Sequence, residues 1–96
     1  MTHIYKCSEW QSATGRWHCA DVEDLANGSA YWWIPCRILG ISPEEFILLL
    51  KDKFNASDFY FDRKKNVLLY SWEKQSDMRK YKNWINAQAR KVNFII

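Results

Sequence analysis

Residues 42–72, SPEEFILLLKDKFNASDFYFDRKKNVLLYSW, decide the fold of this chain, because they contain a capped helix followed by a β-hairpin. Ser42 is a favourable N-cap residue, Pro43 suits the first helical position, and Glu45 completes a capping box. Acidic side chains in the first turn also interact favourably with the helix dipole. The pattern predicts a helix from about Pro43 to Phe54.

One face of this predicted helix is apolar, which indicates the side that packs on the core. The apolar positions are Phe46, Ile47, Leu50 and Phe54, with Leu49 at the edge. Leu48 falls on the opposite, polar face and allows two interpretations. The first, which we expect, is that the N-terminal segment covers Leu48; the second is that Leu48 contacts another subunit or a partner.

The hairpin has arms at 58–62 and 67–72, both rich in aromatic, β-branched or aliphatic residues. Arg63, Lys64, Lys65 and Asn66 separate the arms. Asn66 tolerates the left-handed conformation that the end of a short hairpin loop requires. The second arm is nearly continuous in apolar residues, which predicts a central strand rather than an edge strand.

A second long helix follows the hairpin. Ser76 is a candidate N-cap, with Asp77 at the positive end of the helix and Arg90 and Lys91 at its negative end. The predicted buried stripe consists of Met78, Tyr81, Trp84, Ile85, Ala89 and Val92. Residues 92–96 then predict a short terminal strand.

The first forty residues are harder to interpret. Residues 4–10 and 16–21 are consistent with two strands around a polar loop in which Gly15 supplies a positive φ. Residues 22–26 suggest a helical turn that ends at the turn dipeptide 27–28. Residues 35–39 predict a short helix, with proline at its start and Gly40 as its C-terminal cap.

The resulting order is an N-terminal hairpin, a short helix, then α–β–β–α–β. It predicts one small α+β domain over residues 1–96, with two main helices packed on a small, mainly antiparallel sheet. Six Trp, five Tyr and five Phe provide a dense core for so short a chain, since each buried aromatic side chain removes about 150–250 Å² from water.

The composition also indicates where the protein functions. No apolar run approaches the ~18 residues of a transmembrane helix, and residues 1–20 lack the pattern of a signal peptide. Three cysteines, an odd number, are typical of a reducing compartment. We expect a cytoplasmic protein without membrane association, and its Lys, Asn, Ile, Phe and Tyr content suits an AT-rich bacterial or phage genome.

Charge is distributed unevenly along the chain. Residues 1–62 carry five Lys and Arg against nine Asp and Glu, a net charge of −4. Residues 63–96 carry nine against two, a net charge of +7. Such asymmetry favours binding to an anionic partner or to another copy of the chain.

The basic half contains a candidate surface for nucleic acids or other anions, because Arg and Lys neutralise phosphates while Asn and Arg can read base edges. Its candidate residues are Arg63, Lys64, Lys65, Arg79, Lys82, Asn83, Asn86 and Arg90. This hypothesis requires that the hairpin tip and the last helix present unpaired cations on one surface. The alternative is a solvated helix face and a charged turn that discourages edge aggregation.

A protein interface is the second candidate, because Trp and Tyr are enriched at binding hot spots. The candidate interface residues are Trp10, Trp17, Trp32, Trp33 and Leu48. The alternative is that these rings pack over the sheet and close the core.

Metal binding and catalysis have weaker support. The available ligands and nucleophiles are His3, Cys7, His18, Cys19 and Cys36, but they lack paired zinc-ligand spacing and any catalytic signature. Cys36 at a helix start could have a lowered thiol pKa, with His3 or His18 as its base.

We therefore expect a non-enzymatic protein-interaction module that binds a protein partner or itself. The alternative is a nucleic-acid-binding accessory protein. We expect no cofactor, no metal and no small-molecule substrate.

Overall fold

The structure, a computed structural model, describes residues 3–21 and 33–95. Within these ranges, the elements in chain order are β1 (Cys7–Gln11), β2 (Trp17–Asp21), α1 (Trp33–Leu39), α2 (Pro43–Phe54), β3 (Ser57–Asp62), β4 (Val67–Ser71) and α3 (Gln75–Lys91). This order and the antiparallel pairing of the strands confirm the predicted α+β fold. The helical turn and turn dipeptide predicted for residues 22–28 lie outside the described ranges.

Strands β1 and β2 form the expected N-terminal hairpin. The Ser12 N–H donates to the Arg16 carbonyl at 2.9 Å, and the Gly15 N–H donates to the Ser12 carbonyl at 2.9 Å. Gly15 has a φ of 85°, as predicted for the loop. The register places Trp10 opposite His18.

Helix α1 begins at Trp33, two residues before the predicted start. Pro35 fits inside the first turn because the N–H groups of that turn have no intrahelical partner. The earlier start allows Ile34, which is 3% exposed, to face the core. Gly40, with a φ of 68°, ends the helix and donates its N–H to the Cys36 carbonyl at 2.8 Å, as predicted.

Helix α2 has the predicted bounds and the predicted capping box. The Glu45 N–H donates to Ser42 Oγ at 3.1 Å, and the Ser42 N–H donates to Glu45 Oε1 at 3.4 Å. Phe46 and Leu50 are fully buried. Leu48 is 58% exposed, so the expectation that the N-terminal segment covers it is wrong.

Strands β3 and β4 form the predicted second hairpin, and Asn66 has the expected positive φ of 59°. The register pairs Tyr60 with Leu69 and is interrupted by a bulge between Ser57 and Tyr60. In the described chain, β4 forms a ladder with β3 on one side only. On its other side it approaches β2, beyond the strand end, through a single bridge.

That bridge joins Trp17, at the start of β2, to Trp72, which follows β4. Each residue donates its N–H to the carbonyl of the other at 2.8 Å. The two hairpins therefore lie side by side, in the spatial order β1, β2, β4, β3.

Helix α3 begins at Gln75, with Lys74 in the N-cap position and no side-chain cap. The prediction of Ser76 as the cap is wrong, because Lys74 is the last extended residue and Ser76 already lies inside the first turn. Four residues of the predicted stripe, Met78, Tyr81, Ile85 and Ala89, are 0% exposed, and Trp84 is half-buried.

The C-terminal end differs from the prediction. Helix α3 ends at Lys91, so Val92 occupies the C-cap and is 56% exposed rather than buried. In place of a strand, residues 92–95 make one bridge, between Ile95 and Ile4. The Tyr5 N–H donates to the Phe94 carbonyl at 2.9 Å beside it.

The core is centred on Trp72 and Tyr81, both 0% exposed, whose stacked ring centroids lie 5.3 Å apart. Trp72 Nε1 donates to the Phe54 carbonyl at 2.8 Å, which ties the end of α2 to the sheet. Tyr70 lies edge-on to both Phe46 and Tyr81, so α2 and α3 cover the same face of the β3–β4 hairpin. No helix in the described ranges has the length and hydropathy to cross a membrane.

Candidate functional site

One face of the β3–β4 hairpin points away from the helices. Successive strand side chains alternate between faces. Leu68 is therefore buried against the core at 1% exposure, whereas its neighbour Leu69 is 47% exposed on the opposite face. Tyr60, directly across from Leu69, is 52% exposed. Two large apolar side chains thus form an exposed cross-strand pair.

The same alternation applies to the N-terminal hairpin. Glu9 and Cys19 are paired and point toward α3, where Glu9 bonds to helix side chains. Trp10 and His18 therefore point to the other face. Their rings stack with centroids 4.1 Å apart and an interplanar angle of 7°, and Trp10 remains 41% exposed.

Arg16 links the two hairpins on this face. Its Nε donates to Ser71 Oγ at 2.6 Å, and its Nη2 donates to the Ser57 hydroxyl. Its guanidinium also forms ion pairs with Asp58 at 3.1 Å and Glu73 at 3.9 Å. Because two carboxylates already compensate this cation, it is poorly suited to binding a phosphate.

His18 contributes an uncharged aromatic ring. Burial lowers its pKa, and the nearby charge of Arg16 lowers it further, while a hydrogen bond with the Tyr70 backbone opposes the shift. The ring is therefore neutral at pH 7. Its stack with Trp10 extends the aromatic surface without adding charge.

We call the set Trp10, Arg16, His18, Tyr60 and Leu69 the open sheet face. Aromatic and aliphatic side chains on this face surround Arg16, whose positive charge is paired with Asp58 and Glu73. Asp58 and Glu73, whose side chains are 69% and 80% exposed, give its margin a slight negative charge. Such a surface suits apolar protein side chains accompanied by basic residues.

The predicted interface residues do not form one surface. Trp10 lies on the open sheet face, whereas Trp17 packs against the core. Trp33 is half-buried beneath the Arg37 guanidinium, which lies 5.3 Å from its ring centroid. Leu48 is exposed on α2, and Trp32 lies outside the described residues.

Sequence reasoning did not include Tyr60 or Leu69 among the candidate interface residues. Their signal was the alternation of each strand combined with the cross-strand register. Register cannot be read from either strand alone, and a slip of one strand by one residue would turn its exposed side chain inward.

Several residues of the candidate nucleic-acid surface are already bonded to other residues of the same chain. Glu9 of β1 accepts hydrogen bonds from Arg79 at 3.0 and 3.2 Å, from Lys82 at 2.8 Å and from Gln75 at 3.3 Å. The bonds from Arg79 and Lys82 lower the pKa of Glu9 to about 2. The expectation that Arg79 and Lys82 present unpaired charge is therefore wrong.

Two further residues of that set are also engaged. Asn86 Oδ1 accepts the Cys7 N–H at 2.7 Å, and its Nδ2 donates to the Cys7 carbonyl at 3.3 Å. Arg63 pairs with Glu44 of α2. The remaining members, Lys64, Lys65, Asn83 and Arg90, are exposed at the hairpin tip and on α3.

The three cysteine thiols are free and buried. Burial, with the nearby charges of Glu44 and Glu45, raises the pKa of Cys36 to about 12, contrary to the lowered pKa considered from the sequence. Cys19 is hydrogen-bonded to Cys7, and this bond and burial raise its pKa. The Tyr5 hydroxyl lies 2.8 Å from Cys7 Sγ.

The histidines are not paired with a thiol. His3 Nε2 lies 3.0 Å from both carboxylate oxygens of Asp21, which is 0% exposed and also accepts the Lys6 N–H at 3.0 Å. His18 stacks on Trp10, as described above. Among residues 3–21 and 33–95, no group of three or more His, Cys, Asp and Glu could hold a metal ion.

A shallow groove lies where α1, α2 and α3 meet, with a volume of about 420 Å³. It is lined by Leu39, Ile41, Glu45, Leu49, Trp84 and Gln88. The Lys53 ammonium lies 4.7 Å from the Trp84 ring centroid. Among the described residues, neither of the polar side chains that line this groove, Glu45 and Gln88, is fully buried.

Comparison with known proteins identifies no relative: no family model, no curated protein and no solved structure matches this chain.

Proposed function

We propose that this protein is a non-catalytic protein-interaction module that binds an apolar, basic segment of a partner protein on its open sheet face. The observation that carries the proposal is the exposure of Trp10, Tyr60 and Leu69 on the side of the sheet opposite the helices. Exposed aromatic and aliphatic clusters of this kind are typical of protein-binding surfaces.

Charge supports a protein partner over a nucleic acid. The cation on this face, Arg16, is paired with Asp58 and Glu73. Phosphate binding requires cations that can exchange their counterions for phosphates, which paired guanidinium groups do poorly. The slightly acidic margin instead favours Lys or Arg beside the apolar segment.

The nucleic-acid alternative has less support. Arg79 and Lys82 are bonded to Glu9, and Asn86 is bonded to Cys7. The other exposed residues of the set are divided between the hairpin tip, with Lys64 and Lys65, and α3, with Asn83 and Arg90. A steep fall in affinity for an oligonucleotide with rising salt, abolished by replacing Arg90 and Lys64 with Gln, would favour this alternative.

The test is selection of binding peptides from a random library displayed on phage, with the folded protein as bait. We expect enriched peptides that combine aromatic or aliphatic residues with Lys or Arg. Each synthetic peptide is then titrated against wild type and two variants, Leu69→Asp and Leu48→Asp.

The two leucines are a matched pair, exposed at 47% and 58% on different elements. Leu69→Asp should weaken binding at least about tenfold, as expected for a hot-spot residue, while Leu48→Asp should leave it unchanged. Equal effects of both variants, or selection of acidic peptides only, would refute the proposed docking face.

A further inference from the structure

At one end of β1, the backbone groups on its outer edge are hydrogen-bonded to a side chain of α3. Hydrogen-bonded and non-hydrogen-bonded pairs alternate along an antiparallel ladder. The pair 12/16 next to the loop is hydrogen-bonded, so residues 7, 9 and 11 direct their N–H and C=O groups away from β2. At Cys7 these groups are bonded to Asn86.

No residue in the described ranges covers the other half of this edge. The backbone groups of Glu9 and Gln11 have no hydrogen-bond partner in the described part of the chain. An edge with unpaired N–H and C=O groups is a template for pairing with another strand. Trp10, between these two residues, is 41% exposed beside the edge.

The outer edge of the second hairpin, along β3, is protected. Strand β3 contains the bulge between Ser57 and Tyr60, and Asp58 within it has a φ of 57°. Bulges and charged side chains twist an edge strand away from regular pairing. The open half of β1 is therefore the better edge for strand addition.

We propose that β1 pairs antiparallel with β1 of a second copy, with Glu9 opposite Gln11 of the partner. Two-fold symmetry makes this register self-complementary, because the two open donors and two open acceptors of each copy face those of the other. A shift of two residues in one direction would oppose Gln11 to Cys7, whose groups Asn86 already occupies. A shift in the other direction would oppose Glu9 to Ala13 in the loop.

The register also explains the exposed tryptophan. Trp10 lies on the two-fold axis as a non-hydrogen-bonded pair, the position in which cross-strand side chains are closest. Glu9, the acidic residue on this edge, does not repel its copy because Arg79 and Lys82 neutralise it. The proposal shares Trp10 with the open sheet face but depends on the backbone edge of β1 and not on Tyr60 and Leu69, so it goes beyond partner binding.

The experiment is disulfide trapping of the Trp10→Cys variant at high protein concentration with oxidised glutathione. Directly opposed residues in a non-hydrogen-bonded pair have Cα atoms about 4.5 Å apart, within disulfide range. Ser8→Cys is the matched control, because Ser8 shares the face and the strand but would oppose Ser12. Wild type controls for the native cysteines.

We expect covalent dimer from Trp10→Cys at a yield at least about tenfold above Ser8→Cys, because only the former meets disulfide geometry. Adding Gln11→Pro, which removes an edge N–H that β2 does not use, should abolish trapping. Adding Leu69→Asp should leave trapping intact, which separates this proposal from the docking face. Equal trapping of both cysteine variants, or none above wild type, would overturn it.

Discussion

Trp17 and Trp72 each donate a 2.8 Å backbone hydrogen bond to the other, and this pair joins the two hairpins. Trp72 is completely buried, whereas Trp17 packs at the margin of the core. One bridge thus brings the outer face of β1 and β2 beside that of β3 and β4. The open sheet face exists because of this connection.

The first prediction concerns the capping box of α2 and its contribution to stability. Replacing Ser42 with Ala removes the acceptor for the Glu45 N–H, and we expect a loss of about 1 kcal/mol in the free energy of unfolding. Ser76→Ala is the control, because Ser76 lies inside α3 and caps nothing; its effect should stay within about 0.5 kcal/mol. Urea unfolding measures both, and equal losses would contradict the assigned start of α3.

Asn86 and Asn83 form a second matched pair on α3. Asn86→Ala leaves the Cys7 N–H and carbonyl without their partner, which should cost about 1–3 kcal/mol of unfolding free energy. Asn83 is exposed, so Asn83→Ala should cost much less. If the two variants unfold at the same denaturant concentration, Asn86 does not close the edge of β1.

Glu9 predicts a pH dependence of stability. Its pKa falls from 4.5 to about 2 in the folded state, so its contribution is fully present above about pH 4.5 and is lost as the pH falls toward 2. Glu9→Gln should lower the urea midpoint at pH 7, and the two midpoints should converge near pH 2.

Glu73→Gln is the control for this pH experiment, because Glu73 is 80% exposed and its ion pair with Arg16 spans 3.9 Å. Its midpoint should follow that of wild type at every pH. A Glu9→Gln difference that persists unchanged at pH 2 would show that charge is not its cause.

We expect the buried thiol of Cys36 to be alkylated slowly in the native protein. Burial raises its pKa from 9.0 to about 12, so almost no thiolate forms at pH 8. Iodoacetamide should alkylate Cys36 at least about a hundredfold more slowly in the native protein than in urea, since only the thiolate reacts and access is blocked. Mass spectrometry after timed quenching measures this rate, and comparable rates in both conditions would place Cys36 at the surface.

The local part of the fold could be predicted from sequence because its determinants are local. Ser42, Pro43 and Glu45 lie within one helical turn, and their pattern specifies the start of α2. The loop conformations of Gly15 and Asn66 are likewise set by single residues that tolerate positive φ. The arms of the β3–β4 hairpin followed from their content of aromatic, β-branched and aliphatic residues.

The long-range contacts could not be predicted in this way. Glu9 binds Arg79, and Cys7 binds Asn86, across seventy or more residues. A charge count along the chain cannot show which cations a distant carboxylate neutralises. The predicted cationic surface was overestimated for this reason, and the open sheet face was missed because it depends on the register between strands.

The most direct test of the central claim is a chemical-shift map of the ¹⁵N-labelled protein titrated with a selected apolar, basic peptide. We predict that the largest amide shifts occur in β3 and β4 around Tyr60 and Leu69, and that they disappear with Leu69→Asp. Amide shifts concentrated instead around Asn83 and Arg90 on α3, with the two sheet strands unperturbed, would contradict the account.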